Sequence, residues 1–284
     1  MDKKPKTTGH LDYLSVTFDW GFDVSQMEQF VGKWKESGRG GHGYEKLEIS
    51  ANGAIAQSRG TRAMGVHVDI KGELLSIIRS TFMTDKELIE WVKLHGGRAS
   101  RIDVCVNIVD DELEVQDLWL LWQKKQVVTR ARLAKRYYAQ PEEGTDDGFY
   151  IGSKDSDKFM RIYDKGRQLG LRQKWIRVEL QSRKSRARAI QRGLEMTDKS
   201  RDLINRALLD YCAFVNETYI AALEGHDDEI PPIPRSEPQF YKWLRTQVAP
   251  AMLHRELQNA GENPLAVLEK MIDDLRLSEQ IEQK

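Results

Sequence analysis

Cysteine is scarce in this 284-residue chain: Cys105 and Cys212 are the only two, far apart, each inside an apolar stretch (DVCVNIV and LLDYCAFV). A disulfide framework, which would show several cysteines in a short secreted chain, is excluded. Both are expected as reduced thiols in or near the core. There is no CxxC, and His10, His42, His67, His95, His226 and His254 are scattered without metal-type spacing, so a zinc site built on cysteine pairs is excluded and carboxylates must hold any metal. No apolar run approaches the roughly 20 residues that cross a bilayer. The opening MDKKPKTTGH has no apolar segment behind its lysines, so a cytoplasmic protein without a membrane partner is expected. A GxxxxGK[ST] phosphate loop is also missing, which disfavours a nucleotide-binding enzyme.

Net charge is absent as well, with 44 Lys+Arg against 44 Asp+Glu, but its distribution is uneven. Residues 123–206 hold 22 basic and 11 acidic residues, so the flanks are acidic. Within that region, residues 172–192 carry eight basic residues and one acid, Glu179. Such a segment suits phosphate contact with counterion release, although a solvated helix face gives the same run. With 40% hydrophobic and 31% charged residues, the bulk of the chain is globular rather than disordered.

Periodicity predicts an α+β fold: curved, mostly antiparallel sheets with helices on one side, plus a small C-terminal helical region. LDYLSVTF (11–18) reads as a strand and DVSQMEQFVGKWKES (23–37) as a helix behind an Asp cap. Glycine-rich residues 38–71 read as antiparallel strands with tight turns. TDKELIEWVKLHGG (84–97) reads as a capped helix, RIDVCVNIV (101–109) as a strand and EVQDLWLLWQKK (114–125) as a helix. GFYIGS (148–153), KFMRIYDK (158–165) and KWIRVELQSR (174–183) read as three strands, followed by a basic helix (185–196) and one long amphipathic helix (200–225). Four of the eight prolines fall in HDDEIPPIPRSEP (226–238), a predicted linker. The domains expected are therefore 1–225, the linker 226–238 and a helical tail 239–284.

Alternation assigns faces. Arg101, Asp103, Cys105 and Asn107 share one face of their strand; Arg161, Tyr163 and Lys165 share another; Arg177, Glu179 and Gln181 a third. Apolar residues occupy the opposite faces. If the strands share a sheet, two carboxylates, a tyrosine, a lysine and three arginines converge, an inventory suited to metal-assisted phosphoryl transfer. Ordinary strands with cross-strand salt bridges on a solvated face leave the same signature.

As a set, GFYIGSKDSDKFMRIYDKGRQ (148–168), KWIRVELQSR (174–183) and SRIDVCVN (100–107) closely resemble the replication initiation factor (Rep_trans) family, and HLDYLSVTF is similar to its first strand. The family includes rolling-circle plasmid initiators, initiators of some filamentous phages, and relaxases of conjugative elements. The resemblance spans roughly residues 10–225 and, together with the repeated strand order, implies a pair of related strand–helix halves. It implies origin-specific nicking of one DNA strand by tyrosine attack, leaving a 5′-phosphotyrosine link and a free 3′-OH. It also implies Mg²⁺ or Mn²⁺ held by acids rather than by a histidine–hydrophobe–histidine motif, which this sequence lacks. Carried over by motif, Tyr163 is the nucleophile and Asp103 and Glu179 are the metal acids. Asn107 stands where relatives often carry a further acid, and His67 and Asp69 are weaker ligand candidates.

Tyrosine, with a reference pKa near 10, needs activation, which Arg161 and Lys165 can supply by stabilising the phenolate or the phosphate. Lys165 can alternatively protonate the leaving 3′ oxygen, and Tyr150 is the competing nucleophile. Lys154 and Lys158, in a polar turn with Ser153 and Ser156, are expected at the DNA backbone with Arg177, Arg183, Lys184, Arg186 and Arg188. Tyr137, Tyr138, Phe149, Tyr150, Phe159 and Trp175 interleave this basic region and, where exposed, can stack on unpaired bases. The resemblance further implies double-stranded origin DNA with a locally single-stranded nick site as partner, a helicase, and a homodimer; the tail is the place for such surfaces. Two alternatives remain at this point: a relaxase that starts conjugative transfer, and a catalytically inactive DNA-binding regulator of the same fold, for which Asn107 is the motivation.

Overall fold

In the computed structural model, residues 5–110, 112–137, 147–171 and 173–224 are described. The predicted linker and tail, Tyr138 and Arg172 lie outside them. The elements run β1 (Lys6–Phe18), α1 (Glu28–Val31), β2 (Trp34–Gly38), β3 (Lys46–Ser50), β4 (Ile55–Ser58), β5 (Val66–Lys71), α2 (Gly72–Thr81) and α3 (Asp85–Leu94). A second series follows: β6 (Arg98–Val109), α4 (Val115–Gln123), β7 (Val127–Thr129), β8 (Ala134–Tyr137), β9 (Gly148–Ile151), β10 (Lys158–Asp164), α5 (Lys165–Gln168), β11 (Trp175–Arg183), α6 (Lys184–Met196), α7 (Ser200–Tyr211), β12 (Cys212–Phe214) and α8 (Glu217–Glu224).

Ten strands form one antiparallel sheet in the order β2-β3-β4-β5-β1-β6-β11-β10-β9-β8, and β12 pairs with β7 separately. The order is symmetric about the β1–β6 seam. Each half opens with a long strand, runs outward to the sheet edge, and meanders back until its last strand lies beside the first. Helices then follow in both halves, so the two expected halves exist as topology without any repeat in the sequence.

The sheet's apolar face carries Leu11, Leu14 and Val16 of β1, Ile102, Val104, Val106 and Ile108 of β6, and Ile176, Val178 and Leu180 of β11, all buried. They form one core with Leu75 and Ile78 of α2, Leu88 and Val92 of α3, Leu194 of α6 and Leu208 of α7. Removing this apolar area from water supplies the main driving force for the fold. Because side chains alternate, every residue locked into that core fixes its neighbour on the opposite face.

Local sequence sets the ends of several elements. Thr84 and Glu87 cap α3 reciprocally: the Glu87 amide donates to Thr84 Oγ1 at 3.2 Å and the Thr84 amide to Glu87 Oε2 at 2.6 Å. Two expectations are corrected. The helix predicted over 23–37 has its Asp23 cap, which accepts from the Ser25 amide at 2.9 Å, but it stops at Gly32 (φ 77°) and Trp34 onward becomes an edge strand. The helix predicted over 200–225 ends at Tyr211, since Cys212–Phe214 pairs with β7 and Asn216 Oδ1 then caps α8 by accepting from the Tyr219 amide at 2.8 Å. Pairing with a distant strand overrides helical spacing there. Strands β2, β7 and β8 and helix α2 were not anticipated.

Leu180 sits under the acid-bearing face and is fully buried. Leu180→Ala is expected to cost about 2–5 kcal/mol of stability, read as a shift of the urea midpoint with an unchanged slope.

Candidate active site on the polar face of the sheet

The condition set by the sequence is met: β6, β11 and β10 are neighbours, and their polar faces coincide. Register places Arg161 opposite Glu179 and Tyr163 opposite Arg177 across β10–β11. Across β11–β6, Arg177 lies opposite Asn107, Glu179 opposite Cys105 and Gln181 opposite Asp103. Strand β1 completes the face, with His10 opposite Cys105 and Tyr13 opposite Asp103. Between them the register shifts by one residue, and this irregularity leaves Asp12 unpaired in the ladder and aimed at the same site.

Three acids are each matched to one arginine. Asp12 Oδ1 accepts from Arg177 Nη1 at 2.7 Å. Asp103 accepts from Arg101, whose Nε lies 2.9 Å from Oδ1 and whose Nη2 makes a second bond to Oδ2. Glu179 Oε1 accepts from Arg161 Nη2. Asp103 and Glu179 are each 1% exposed, which a carboxylate tolerates only when paired. Burial nevertheless raises both. It pushes Glu179 up to about 7 against the pull of Arg161, with repulsion from Asp12 and Asp103 adding to the rise, and it raises Asp103 against Arg101. Glu179 Oε2 is buried without a hydrogen-bond partner.

Tyr163 lies beside these pairs, 6% exposed. The Arg161 guanidinium is 5.9 Å and Lys165 Nζ 6.0 Å from its ring centroid. Burial drives its phenol well above the ordinary value, Arg177 opposes the rise, and Glu179 and Asp12 add to it. Lys165 is not on the strand as predicted: β10 ends at Asp164, which caps the short α5, and Lys165 Nζ donates to Gln168 Oε1. Asn107 bridges within the site, accepting from Arg177 Nε at 2.8 Å and donating to Thr8 Oγ1 at 3.1 Å.

The residues expected at DNA are dispersed. Arg177 is corrected: it is 8% exposed and bound to Asp12 and Asn107, so it orders the site rather than facing a backbone. Lys158 turns away from the polar face to Asp210 of α7, 3.6 Å distant. Arg183 donates to the Lys154 carbonyl at 3.0 Å and secures the turn before β10. Lys184 pairs with Asp157 at 3.0 Å. Arg186 and Arg188 are exposed on α6, whose Ala187, Ile190 and Leu194 face the core, so they lie on the helical side of the sheet, opposite Tyr163. Ser153 and Ser156 close their own turn, Ser156 Oγ donating to the Ser153 carbonyl at 2.7 Å.

The site also contains residues that alternation alone misses. Asp12 is one, brought in by the register shift. With His10 and Cys105 it forms the group of three possible ligands whose donor atoms lie within 4.8 Å of one another; Asp103 and Glu179 belong to no such group among the described residues. Cys105 keeps its proton because burial raises its thiol, and burial together with Arg79, Arg177, Arg201 and Lys165 holds His10 well below its ordinary value. A cation at that trio would meet the same positive field. Tyr13 is another: Arg101 lies over its ring at 4.1 Å, and burial, together with Asp69, which accepts from Ser15, raises its phenol. His67 Nε2 is 3.5 Å from Asp69 and its Nδ1 is 3.2 Å from Thr17 Oγ1, so His67 and Asp69 are spent on a hydrogen-bonded cluster along β1–β5.

Residues 97–259 match the replication initiation factor family (Rep_trans). The chain belongs to that family. The match covers the strands that carry Asp103, Tyr163 and Glu179, the segments whose motifs resembled it. Among solved structures, a rolling circle replication initiator protein from Geobacillus stearothermophilus is similar with a TM-score of 0.64 and 20% identity, over 85% of this chain and 97% of that one. At that identity the likeness is one of fold. Methanococcus jannaschii TBP aligns over 71% of this chain and 99% of its own at 13% identity, but its TM-score of 0.28 carries no weight. No curated protein matches the sequence. The described helices of this family member include none long and apolar enough to cross a membrane.

The raised Glu179 makes a pH prediction. A carboxyl whose folded pKa lies above its unfolded value near 4.5 binds more protons in the native state, so it withdraws stability as pH rises from about 4.5 to about 7. Urea unfolding across that window is expected to show a steeper loss for wild type than for Glu179→Gln; parallel profiles would refute the assignment.

Proposed function

We propose that this family member nicks and rejoins one strand of origin DNA through a covalent 5′-phosphotyrosine at Tyr163, and so initiates rolling-circle replication of a mobile element. The observation that carries the reading is the placement of Tyr163 on the same face as three arginine-paired acids, opposite Arg177 and one alternation from the Arg161–Glu179 pair. Tyr163 Oη attacks the scissile phosphorus, the P–O3′ bond breaks, and the 3′ oxygen leaves as a primer hydroxyl. Arg177, the cross-strand neighbour of Tyr163, favours the phenolate, and Arg161 is placed to offset charge on the phosphoryl oxygens. Lys165, close to the ring, is the candidate donor of a proton to the leaving oxygen.

A divalent cation fits the acids on a feature of this structure. Glu179 Oε2 is a buried oxygen without a partner, Asp12 and Asp103 act electrostatically on Glu179, and all three offer the hard oxygen donors that Mg²⁺ and Mn²⁺ take. Asp103, Glu179 and Asp12 would hold it once drawn together, since as placed their donor atoms do not all lie within 4.8 Å of one another, and it would supply polarisation of the scissile phosphate. Arg101 and Arg161, released from their acids, would then face the DNA. Asn107 is accounted for as the support of Arg177, which removes the main motive for a catalytically inactive binder. The proposed partner is duplex origin DNA unpaired at the nick. A relaxase acting at a transfer origin would use the same chemistry, and the mapped nick distinguishes the two.

The test places the gene and its flanks on a supercoiled plasmid with Mg²⁺ or Mn²⁺ and looks for protein covalently joined to DNA on a denaturing gel. Wild type is expected to form the adduct, and Tyr163→Phe or added chelator to abolish it. An adduct that persists in Tyr163→Phe would overturn the nucleophile, and metal-independent binding without any adduct would turn the reading to the regulator.

A further inference from the structure

The polar face continues past Tyr163 toward the sheet edge, and there it changes from charged to aromatic. Tyr137 of β8, Tyr150 of β9 and Phe159 of β10 form a connected run. The Tyr137 and Tyr150 ring centroids are 4.8 Å apart at 32°, and those of Tyr150 and Phe159 are 6.0 Å apart. Register ties the run to the site: Tyr150 lies opposite Arg161, while Gly148 lies opposite Tyr163 on one side and Tyr137 on the other. The Tyr137 hydroxyl occupies the space that a Cβ at Gly148 would fill, so the row closes the gap between the edge strand and Tyr163.

Phe159 is buried, but the two tyrosines of the row stand outside the core. Phe149 and Ile151, alternating with Gly148 and Tyr150, already fill the apolar face of β9 and are fully buried, whereas Tyr137 and Tyr150 are half-buried on the opposite face. Cations accompany them. Lys154 Nζ lies 4.2 Å from the Tyr150 ring centroid, and Lys135 is opposite Tyr150 in the ladder. Both lysines are exposed. Aromatic rings flanked by lysines, beside a tyrosine proposed to attack a phosphodiester, match a ligand with flat bases and a polyanionic backbone.

We infer that Tyr137 and Tyr150, with Lys154 and Lys135, form a stacking subsite for the unpaired DNA nucleotides that flank the scissile phosphate. Bases stack on the tyrosine rings, the lysines take the phosphates, and the strand is led across Gly148 to Tyr163. Stacking of this kind tolerates any base, so the subsite holds the strand open and leaves sequence choice elsewhere. The inference rests on the reading of Tyr163 as the nucleophile only for which nucleotides are bound; the binding itself needs no chemistry.

The test therefore uses the full chain in chelator, with fluorescein-labelled (dT)12 and a duplex of the same length, read by anisotropy at low salt. Tyr150→Leu is expected to weaken (dT)12 binding by about 5- to 150-fold, the range for losing one stacked base. Tyr150→Phe, which keeps the ring, should stay within about twofold of wild type, and the duplex should change by no more than that. Equal binding by Tyr150→Leu, an equal loss in Tyr150→Phe, or a parallel loss on the duplex would each overturn the subsite. Wild type supplies an independent readout: a 2-aminopurine placed in the oligonucleotide should be quenched on binding, and unquenched binding counts against stacking. Failure here with an intact Tyr163-dependent adduct removes the subsite alone. Success here with an adduct that survives Tyr163→Phe removes the nucleophile alone.

Discussion

The matching of three acids, two of them buried, to three arginines is the constraint on which the rest of the site depends. Asp103 and Glu179 are almost wholly removed from water, and a carboxylate in that position is tolerable only with a partner that restores what solvation gave. Arginine suits the task because its planar fork stays charged and can bridge a carboxylate twice, as Arg101 does with Asp103. The guanidiniums also lie over neighbouring rings, Arg101 on Tyr13 and Arg161 beside Tyr163. They thereby tie the tyrosines to the acids. The positions of all these groups are inherited from the other side of the sheet, where Val104, Val106, Val178 and Leu180 are packed into the core and leave the intervening residues no choice of face.

The two-half topology explains why the site sits where it does. The long strands β1 and β6 meet at the centre of the sheet, so the first half delivers Asp12 and Tyr13 to a face whose other groups come from the second. Neither half assembles the three pairs alone, because Arg177 belongs to one and its acid to the other. The first half keeps its own polar row on β1 and β5, but Asp69 there accepts from Ser15 and lies 3.5 Å from His67 Nε2. With Asp69 engaged by Ser15 and His67 rather than by an arginine among the described residues, that row has less to offer a cation or a phosphate.

Period-two alternation was enough to place Arg101, Asp103, Asn107, Tyr163, Arg177 and Glu179 on one face, because β6, β10 and β11 are regular over those residues. It failed at Asp12, where a one-residue shift in register reverses the side to which a residue points and leaves no mark in HLDYLSVTF. Charge patterning was weaker than alternation. A basic run tells that arginines are present but not which are consumed by acids from distant strands, so Arg177, 165 positions from Asp12, passed for a DNA contact. The helix read through Tyr211 failed for a related reason: the strand that captures Cys212–Phe214 lies more than 80 residues earlier at β7, and nothing local announces it.

The charge balance of the site bears on the order of events in the proposed reaction. Three acids and three arginines sum to neutrality, and with the proton that burial keeps on Glu179 up to about 7 the face is mildly positive, which favours an incoming phosphodiester. A divalent cation displacing that proton would leave an excess of two positive charges in a poorly solvated place, a costly state by itself. One negative charge on the scissile phosphate and one on the Tyr163 phenolate would offset it. The cation, the DNA and the ionised tyrosine would therefore each be more stable in this site in the presence of the other two. That coupling would give the proposed nucleophile, whose phenol burial holds well above the ordinary value in the free protein, a physical reason to stay protonated until the charges that stabilise its anion have arrived.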